Sequence, residues 1–559
     1  MEKYKYIVTA ALPYANGPIH IGHLSGVYLP ADIFVRFLRR KGIDVIFISG
    51  SDEHGAPISI QAKKEKKTPK EIVNKYHNMI RNCFNDIGIQ FDNYSRTSNK
   101  IHHKISISFF KQLLIKKKIF EKTSDQYYDN KYKQFLADRF IYGICPFCNN
   151  KEAYGDQCEK CGNSLSSEEL INPKSVISGS IPILKKTKHW YFPLNKYQNF
   201  LKKWIIINHK KDWKLNVYGQ SKSWIDIGLK PRSITRDLEW GVPVPYNNGK
   251  VLYVWFEAPI GYISSTIEWA NRNNVNWSSY WKNKKTKLIQ FIGKDNIVFH
   301  CIIFPTILKA CDKGYIFPHH ILANEFLNLE NKKISTSKNW AVWCHEYLKD
   351  FPNQQDTLRY TLITNMPEKK DSNFNWKDLQ RKNNTELVSI LGNFINRCMV
   401  LIKRHNNKIV PTPGIFSNKD KYILNEIKCC TKKIGQLIKS YKFKDSITCF
   451  MNLAKIGNKY LTDEEPWNNH KDKKRVDTIL YVSIQIVSIL AQISEPFLPH
   501  ISKKILIMIR SKLVSWDYIT HTKTMLHPGH LLGDDTLLFK KINDDIIKKQ
   551  LDKLKKSVY

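Results

Sequence analysis

The first fifty residues constrain the fold more than any other stretch. Residues 6–12 are a β-branched and aromatic run, a Pro/Gly turn follows through Gly17 and Pro18, an amphipathic stretch occupies 19–40, and a second apolar run comes at 44–48. Strand, turn, helix and strand in that order open a parallel, doubly wound sheet, because strands buried on both faces need crossover helices to cover them. Ligands of such sheets lie beyond the carboxyl ends of the strands, which places a site near residues 12–23.

Helical patterning continues to about residue 118, and residues 118–236 read as loop-rich with a cluster of cysteines. Sheet-like segments return at 250–256 and 287–292, so the sheet reads as split by an insertion. From 387 onward the texture changes to periodic helical stretches at 387–403, 420–441, 446–461 and 474–493, with Pro411, Pro413, Gly414 and the Pro466-Trp467 pair as loop punctuation. That is a helical bundle. A chain of 559 residues accommodates such a division, at roughly 150 residues per domain.

The 89 Lys+Arg against 50 Asp+Glu leave a net charge of +39, a field that favours polyanionic partners, although an even spread of lysine through the chain accounts for it as well. The N-terminus is charged too early for a secretory signal. The longest uncharged run, residues 478–494, has 17 residues and two glutamines, short of the roughly 20 that span a bilayer, so it reads as a buried bundle helix and no membrane is expected. Of the 12 cysteines four cluster and eight are scattered, which is no disulfide framework and fits a reducing cytoplasm. No internal repeat is visible, and the absence of a C-terminal extension favours a monomer.

Three motifs carry chemistry. Cys145-x2-Cys148-x9-Cys158-x2-Cys161 is a pair of knuckles whose four thiolates close a tetrahedral zinc site, leaving no position for water, so the metal is expected to be structural. Zinc knuckles also bind nucleic acid, and spacing does not separate the two roles. His20-Ile21-Gly22-His23 sits after the strand and turn, at the start of the helix, where imidazoles and backbone N–H groups stabilise phosphate charge and Gly22 permits close approach of a nucleotide. Lys333-Ile334-Ser335-Thr336-Ser337-Lys338 is a small-residue loop with ammonium groups, after a turn at Asn331, suited to closing over a polyphosphate.

In this order the motifs resemble the methionyl-tRNA synthetase family of class I aminoacyl-tRNA synthetases: a HIGH motif at 20–23, a four-cysteine knuckle inside the split sheet, a KMSKS-type loop at 333–337, then a helical domain. Further matches are Ala11-Leu12-Pro13-Tyr14-Ala15-Asn16-Gly17, Gly50-Ser51-Asp52-Glu53-His54-Gly55, Tyr253-Val254-Trp255 through Tyr262, and Phe291-Ile292-Gly293-Lys294-Asp295 through His300. The resemblance implies a fold of class α/β, a split doubly wound parallel sheet of Rossmann type with a zinc-knuckle insertion and a C-terminal α-helical bundle. Its implied divisions are 1–117 and 237–325 for the two catalytic halves, 118–236 for the insertion, 326–386 for the KMSKS loop and stem-contact region, and 387–559 for anticodon binding.

The resemblance also implies roles. His20, His23 and Lys333 would be catalytic, and Gly22, Gly293, Asp295, Ser335, Thr336 and Ser337 would join them around ATP and its Mg²⁺. Asp52 would hold the methionine ammonium, and Leu12, Tyr14, Trp255, Ala258, Pro259, Tyr262 and His300 would line the side-chain pocket, where aromatic walls suit a thioether. Asn296 stands where many family members carry an aliphatic residue. Arg236 would lie near the active centre, and Asn393, Arg397 and Trp467 would read the anticodon, a flat indole stacking on unpaired bases. Thr336 departs from the family, which has a second lysine there; Lys338, Lys332 and Lys294 are the candidate replacements.

The implied reaction is ATP-dependent activation of L-methionine to methionyl-adenylate with release of pyrophosphate, then transfer to the 3′-terminal adenosine of initiator and elongator methionine tRNAs. A synthetase for valine, isoleucine or leucine is the nearest rival, yet a methylene is discriminated by only about 1–3 kcal/mol, so those enzymes carry a large editing insertion for which 118–236 is too short. A zinc-ribbon RNA-binding protein with a dead nucleotide fold is the rival from another class, and the pairing of His20 with His23 speaks against it.

Overall fold

A computed structural model describes residues 4–136, 138–155, 158, 160–161, 165–246, 249–336, 338–468, 472–522 and 524–556. The strands that matter here are β1 (Lys5–Ala10), β2 (Val45–Ser51), β3 (Asn93–Arg96), β4 (Phe120–Asp129), β5 (Ile183–Phe192), β6 (Thr286–Gly293) and β7 (Pro318–Asn324). The central sheet is five-stranded and parallel, in the order β7-β6-β1-β2-β3. Val8 lies opposite Phe47 on one side and Ile289 on the other, and Ile7 and Val8 are fully buried. Burial on both faces explains why β1 reads as a continuous apolar run.

Strand order reverses between β1 and β6. The chain builds β1, β2 and β3 outward in one direction, then returns to the other flank of β1 for β6 and β7. Such a switch point leaves a crevice at the carboxyl ends of the two strands, here between Leu12 and Gly293. The helix that covers β1, α1 (Leu29–Arg40), has Pro30 in its first turn and Arg39 and Arg40 in its last, both favourable placements. The split sheet, insertion and helical region agree with the fold class expected from the sequence.

Two local expectations are corrected. Residues 118–236 are not mainly loop, since β4 and β5 pair antiparallel from Phe120↔Tyr191 to Tyr128↔Ile183, and helices occupy Gln198–Leu201 and Leu215–Ile227. Lysine-rich strands with one exposed face lack the apolar run that marks a buried strand, so β5 read as loop. Residues 250–256 are not a strand of the central sheet either. Only Val251–Leu252 pairs, with Thr235–Arg236, and Val254–Glu257 turns helical. The β-branched and aromatic residues there fit a strand locally, but burial of Glu257 between His54 and His102 sets the turn.

Four long helices follow: α2 (Asn393–Asn406), α3 (Asn418–Lys439), α4 (Phe443–Glu464) and α5 (Lys473–Ser494). A Cβ at Gly457 of α4 would lie 2.5 Å from the Phe394 ring, so glycine there lets α2 and α4 approach closely. Trp376–Asn406, which is continuous with α2, and α5 are long and apolar enough to cross a bilayer by length and composition; almost all of α5's apolar window is buried by its neighbours. The bundle is fastened to the sheet through α1. Asp32 accepts from Arg36 Nε at 2.9 Å and from Arg359 at 2.7 Å, and Arg36 reaches Glu495 at 2.5 Å. Arg359 is fully buried and also donates to the Phe497 and Pro496 carbonyls, so its charge is satisfied on several sides.

Candidate active site

The motif at the carboxyl end of β1 is built from the backbone outward. His20 is extended (φ −119°, ψ 170°) and caps the turn Ile21–His23, its Nδ1 accepting from Gly22 N at 3.1 Å, while His23 Nδ1 accepts from His20 N at 3.2 Å. The two rings stack with centroids 3.8 Å apart. A side chain at position 22 would stand 2.9 Å from the His20 ring, which is why glycine is required. Since each Nδ1 accepts, each Nε2 carries the hydrogen and is a donor. Burial, and for His20 also the neighbouring His23, pushes both imidazoles down, His23 to about 4, so at neutral pH the pair offers two N–H donors rather than two cations.

The lysine loop is clipped to that pair. Leu327–Leu329 and Lys332–Lys333 form a hairpin whose turn residues Glu330 and Asn331 both have positive φ (47° and 64°), the requirement of a two-residue turn. Ser335 exchanges backbone hydrogen bonds with Trp340, Ile21 N donates to Val342 O at 3.1 Å, Cys344 N donates to Ile19 O at 3.0 Å, and Ile334 lies beside Gly22. Lys333 and Lys294 both stand over the Phe326 ring, at 5.3 and 4.0 Å from its centroid. Lys294 is committed to Glu325 and Asp371, and Lys332 rests on Trp340. Thr336 and Lys338 are exposed; Ser337 lies outside the described residues. Asp295, next to Gly293, opens to solvent at the cleft mouth. Arg139, Lys333 and Lys294 are the cations that act on its carboxylate.

A cluster of apolar and aromatic side chains adjoins the cleft. Pro259, Tyr262 and His300 are buried, and Leu12, Trp255 and Ala258 are half-buried beside them. His300 Nδ1 donates to Asn296 O at 2.9 Å, so its Nε2 accepts from the Tyr262 hydroxyl at 2.8 Å. Trp255 meets Phe299 edge to face at 4.2 Å. Asp52 joins the ends of β1 and β2, its N–H on Pro13 O and its carbonyl on Ala15 N, with Tyr14 bridged to it. Its Oδ1 is buried without a hydrogen-bond partner, and burial, then Glu257, raises the carboxyl well above the usual carboxylate range.

Arg236 lies 3.6 Å over the Tyr253 ring and lines, with Tyr253 and Trp255, a cavity of about 210 Å³ to which the insertion contributes Gln126, His189 and Tyr191. Three groups escaped the sequence reading. Glu257 is fully buried, with His54 Nδ1 at 3.0 Å and His102 Nε2 at 2.5 Å; burial opposes its ionisation, but the two histidines outweigh it and hold the carboxyl at about 2. Arg139 reaches from the insertion to the cleft near Asp295, and Trp343 bridges His20. Nothing in their spacing marks them; only the adjacency of His54 to Asp52 was a signal.

The four knuckle sulfurs converge. Cys145 and Cys161 are 3.8 Å apart, Cys148 and Cys158 3.6 Å, and all four lie within 4.8 Å of one another. Sulfurs about 2.3 Å from a tetrahedral ion sit about 3.8 Å apart, so the cluster fits a metal ion. Burial opposes it, yet the N–H groups of Cys161 and Lys160 bring the Cys158 thiol down to about 6. On the bundle, Arg397 stands 4.9 Å over Trp467, and Asn393, one turn earlier on α2, approaches Asn458 at 3.5 Å, so the structure brings all three expected residues to one face.

Residues 6–399 match the family of tRNA synthetases class I (M), and residues 410–556 match the anticodon binding domain of methionyl tRNA ligase. The methionine–tRNA ligases of Christiangramia forsetii and Flavobacterium psychrophilum are each 57% identical to the chain, over 98% of it and 81% of their own length. That of Bacteroides fragilis is 55% identical over 98% of the chain and 80% of its own. Mycobacterium tuberculosis methionyl-tRNA synthetase, solved with methionyl-adenylate, shares the fold with a TM-score of 0.78 at 22% identity, over 96% of this chain and 99% of that one. With identity above half along nearly its whole length, the chain belongs to the methionine–tRNA ligase family of class I tRNA synthetases.

Proposed function

We propose that the methionine–tRNA ligase activity of this family runs here through a neutral imidazole pair, a lysine hairpin and a buried carboxylate that awaits a cation. The methionine ammonium docks on Asp52, and its thioether enters the pocket of Leu12, Tyr14, Trp255, Ala258, Pro259, Tyr262 and His300. Tyr262 and His300 have spent their polar atoms on each other and on Asn296, so they present ring surface, which favours sulfur over a polar side chain.

The methionine carboxylate then attacks the α-phosphorus of ATP, and pyrophosphate leaves. His20 and His23 donate from Nε2 to phosphate oxygens, Gly22 keeps the backbone open to them, and Lys333 neutralises charge on the leaving group. Ser335, Thr336 and Ser337 complete the loop as hydroxyl donors. Because Lys294 is held by Glu325 and Asp371, Lys338 is the better placed replacement for the lysine absent at Thr336. In the second step a ribose hydroxyl of the terminal tRNA adenosine attacks the adenylate carbonyl and AMP leaves. Arg236, on its Tyr253 platform beside the cavity, faces that end of the substrate.

Magnesium enters with ATP and neutralises triphosphate charge. Asp295, faced by Arg139, Lys333 and Lys294, does not fit as its protein ligand and is left beside Gly293 to accept from nucleotide hydroxyls. Zinc fits Cys145, Cys148, Cys158 and Cys161 as a structural ion that fixes the insertion. Asn393, Arg397 and Trp467 receive the anticodon.

The observation that carries this reading is Asp52 Oδ1, buried and unpartnered beside an otherwise satisfied pocket. The test is ATP–pyrophosphate exchange with single amino acids. Methionine alone should support it; exchange driven equally by leucine or isoleucine would overturn the pocket assignment.

A further inference from the structure

The edge strand β7 begins with an irregularity. Leu288 of β6 lies opposite Pro318 and Ile289 opposite His320, so His319 is an extra residue. Neighbours in an unbroken strand point to opposite faces, and an inserted residue breaks that alternation. His319 and His320 are accordingly both half-exposed between buried Pro318 and Ile321, their rings stacked 4.9 Å apart with 18° between planes. Asp212 approaches them from a turn that Trp213 anchors, donating from Nε1 to His319 O at 3.2 Å.

One ligand atom from each of Asp212, His319 and His320 lies within 4.8 Å of the other two. Among the described residues no hydrogen bond joins Asp212 to either ring; the carboxylate is steadied instead by His209 Nδ1, 3.0 and 3.1 Å from its two oxygens. The other trio of this kind, His54, His102 and Glu257, is closed by its own hydrogen bonds and leaves no gap. Burial lowers His319, and with the neighbouring His319 it pushes His320 down to about 4, so both rings keep a free lone pair at neutral pH; Lys287 nearby opposes a cation and Asp212 offsets it.

We propose that Asp212, His319 and His320 form a surface site for a divalent transition ion, zinc in the first instance, with His209 positioning the carboxylate. Two imidazoles and a carboxylate are the donor set such ions take. Ligands about 2.0–2.2 Å from the ion sit about 3–3.5 Å from one another, so the three side chains draw closer together when the ion binds. The ion ties the end of the insertion to the amino end of β7, at the opposite end of that strand from the ATP cleft, and is distinct from the four-cysteine cluster.

The test uses the full-length enzyme without a histidine tag, its cysteine site filled with zinc. Calorimetric titration with Zn²⁺ should show one further equivalent bound, and that binding should weaken at least tenfold in Asp212→Asn and in His319→Gln, with exchange activity unchanged. Asp212 is exposed, so its variant folds even if the strand variant does not. Cobalt added to the same zinc-filled enzyme should give a spectrum without a thiolate charge-transfer band. Undiminished binding in both variants, no second equivalent in the parent, or a thiolate band would each overturn the proposal.

Discussion

Tyr262 donates its hydroxyl hydrogen to His300 Nε2 at 2.8 Å, and His300 passes its own Nδ1 hydrogen to the Asn296 carbonyl. This chain of two bonds fixes one tautomer and turns two polar side chains into apolar walls. Tyr262→Phe keeps the ring but leaves His300 Nε2 a buried acceptor without a donor, at about 1–3 kcal/mol. The Michaelis constant for methionine should rise about tenfold with kcat little changed, measured by exchange at varied methionine. An unchanged constant would remove the pair from the pocket.

Asp52→Asn separates charge from shape. Methionine affinity should fall at least tenfold, because the ammonium loses its counter-ion. Thermal stability should change little, because burial already favours the neutral form of the Asp52 carboxyl and only its Oδ1 lacks a hydrogen-bond partner. The raised carboxyl pKa has a signed consequence for binding: where the free enzyme holds the proton, methionine must displace it, so affinity should increase with pH until the substrate ammonium itself titrates. A calorimetric pH series reads both effects.

His23→Ala should cut adenylate formation by more than about tenfold, near 1.4 kcal/mol of transition-state stabilisation, with methionine affinity nearly intact. Since burial holds His23 at about 4, the exchange rate of the parent should show no inflection near pH 6.5 from this residue. An equal loss of methionine binding would contradict a phosphate role.

Acid should unfold the protein early. His77 is pushed down to about 3 and His300 to about 4, in each case chiefly by burial. The unfolded chain takes up protons near pH 6.5 and the folded one does not, so the stability these residues contribute is present above that pH and is lost as pH falls toward 4. Each removes up to about 1.4 kcal/mol per pH unit across that window. Melting temperature should drop steadily from pH 6.5 to 5; a flat profile would mean that both rings are solvated.

Trp467→Ala should impair tRNA charging and spare exchange, because Arg397 loses its stacking partner on a face remote from the cleft. Failure of both activities would make Trp467 a folding residue.

Cys158→Ser should empty the knuckle of metal, read by elemental analysis, and loosen the small core of Leu136, Phe140, Ile141 and Leu170 around it. Charging should fall further than exchange. Full metal content in the variant would mean that the sulfurs do not hold the ion.

Local order was enough to read the parallel sheet, the bundle helices, the knuckle and the two nucleotide motifs, because each rests on spacing within one segment: apolar period, cysteine pairs, and a glycine between two histidines at the end of a strand. Strand β5 and the turn at 254–257 were illegible for the complementary reason. Their conformation follows from partners more than fifty residues away, Phe120 for Tyr191 and His54 for Glu257. Only the tertiary structure decided that the Nδ1 atoms of His20 and His23 face inward, that Lys294 is already neutralised, that Asp52 Oδ1 is buried without a hydrogen-bond partner and that Arg397 rests on Trp467. These are matters of distance and desolvation between remote segments, and such energies have no signature until the chain has closed around them.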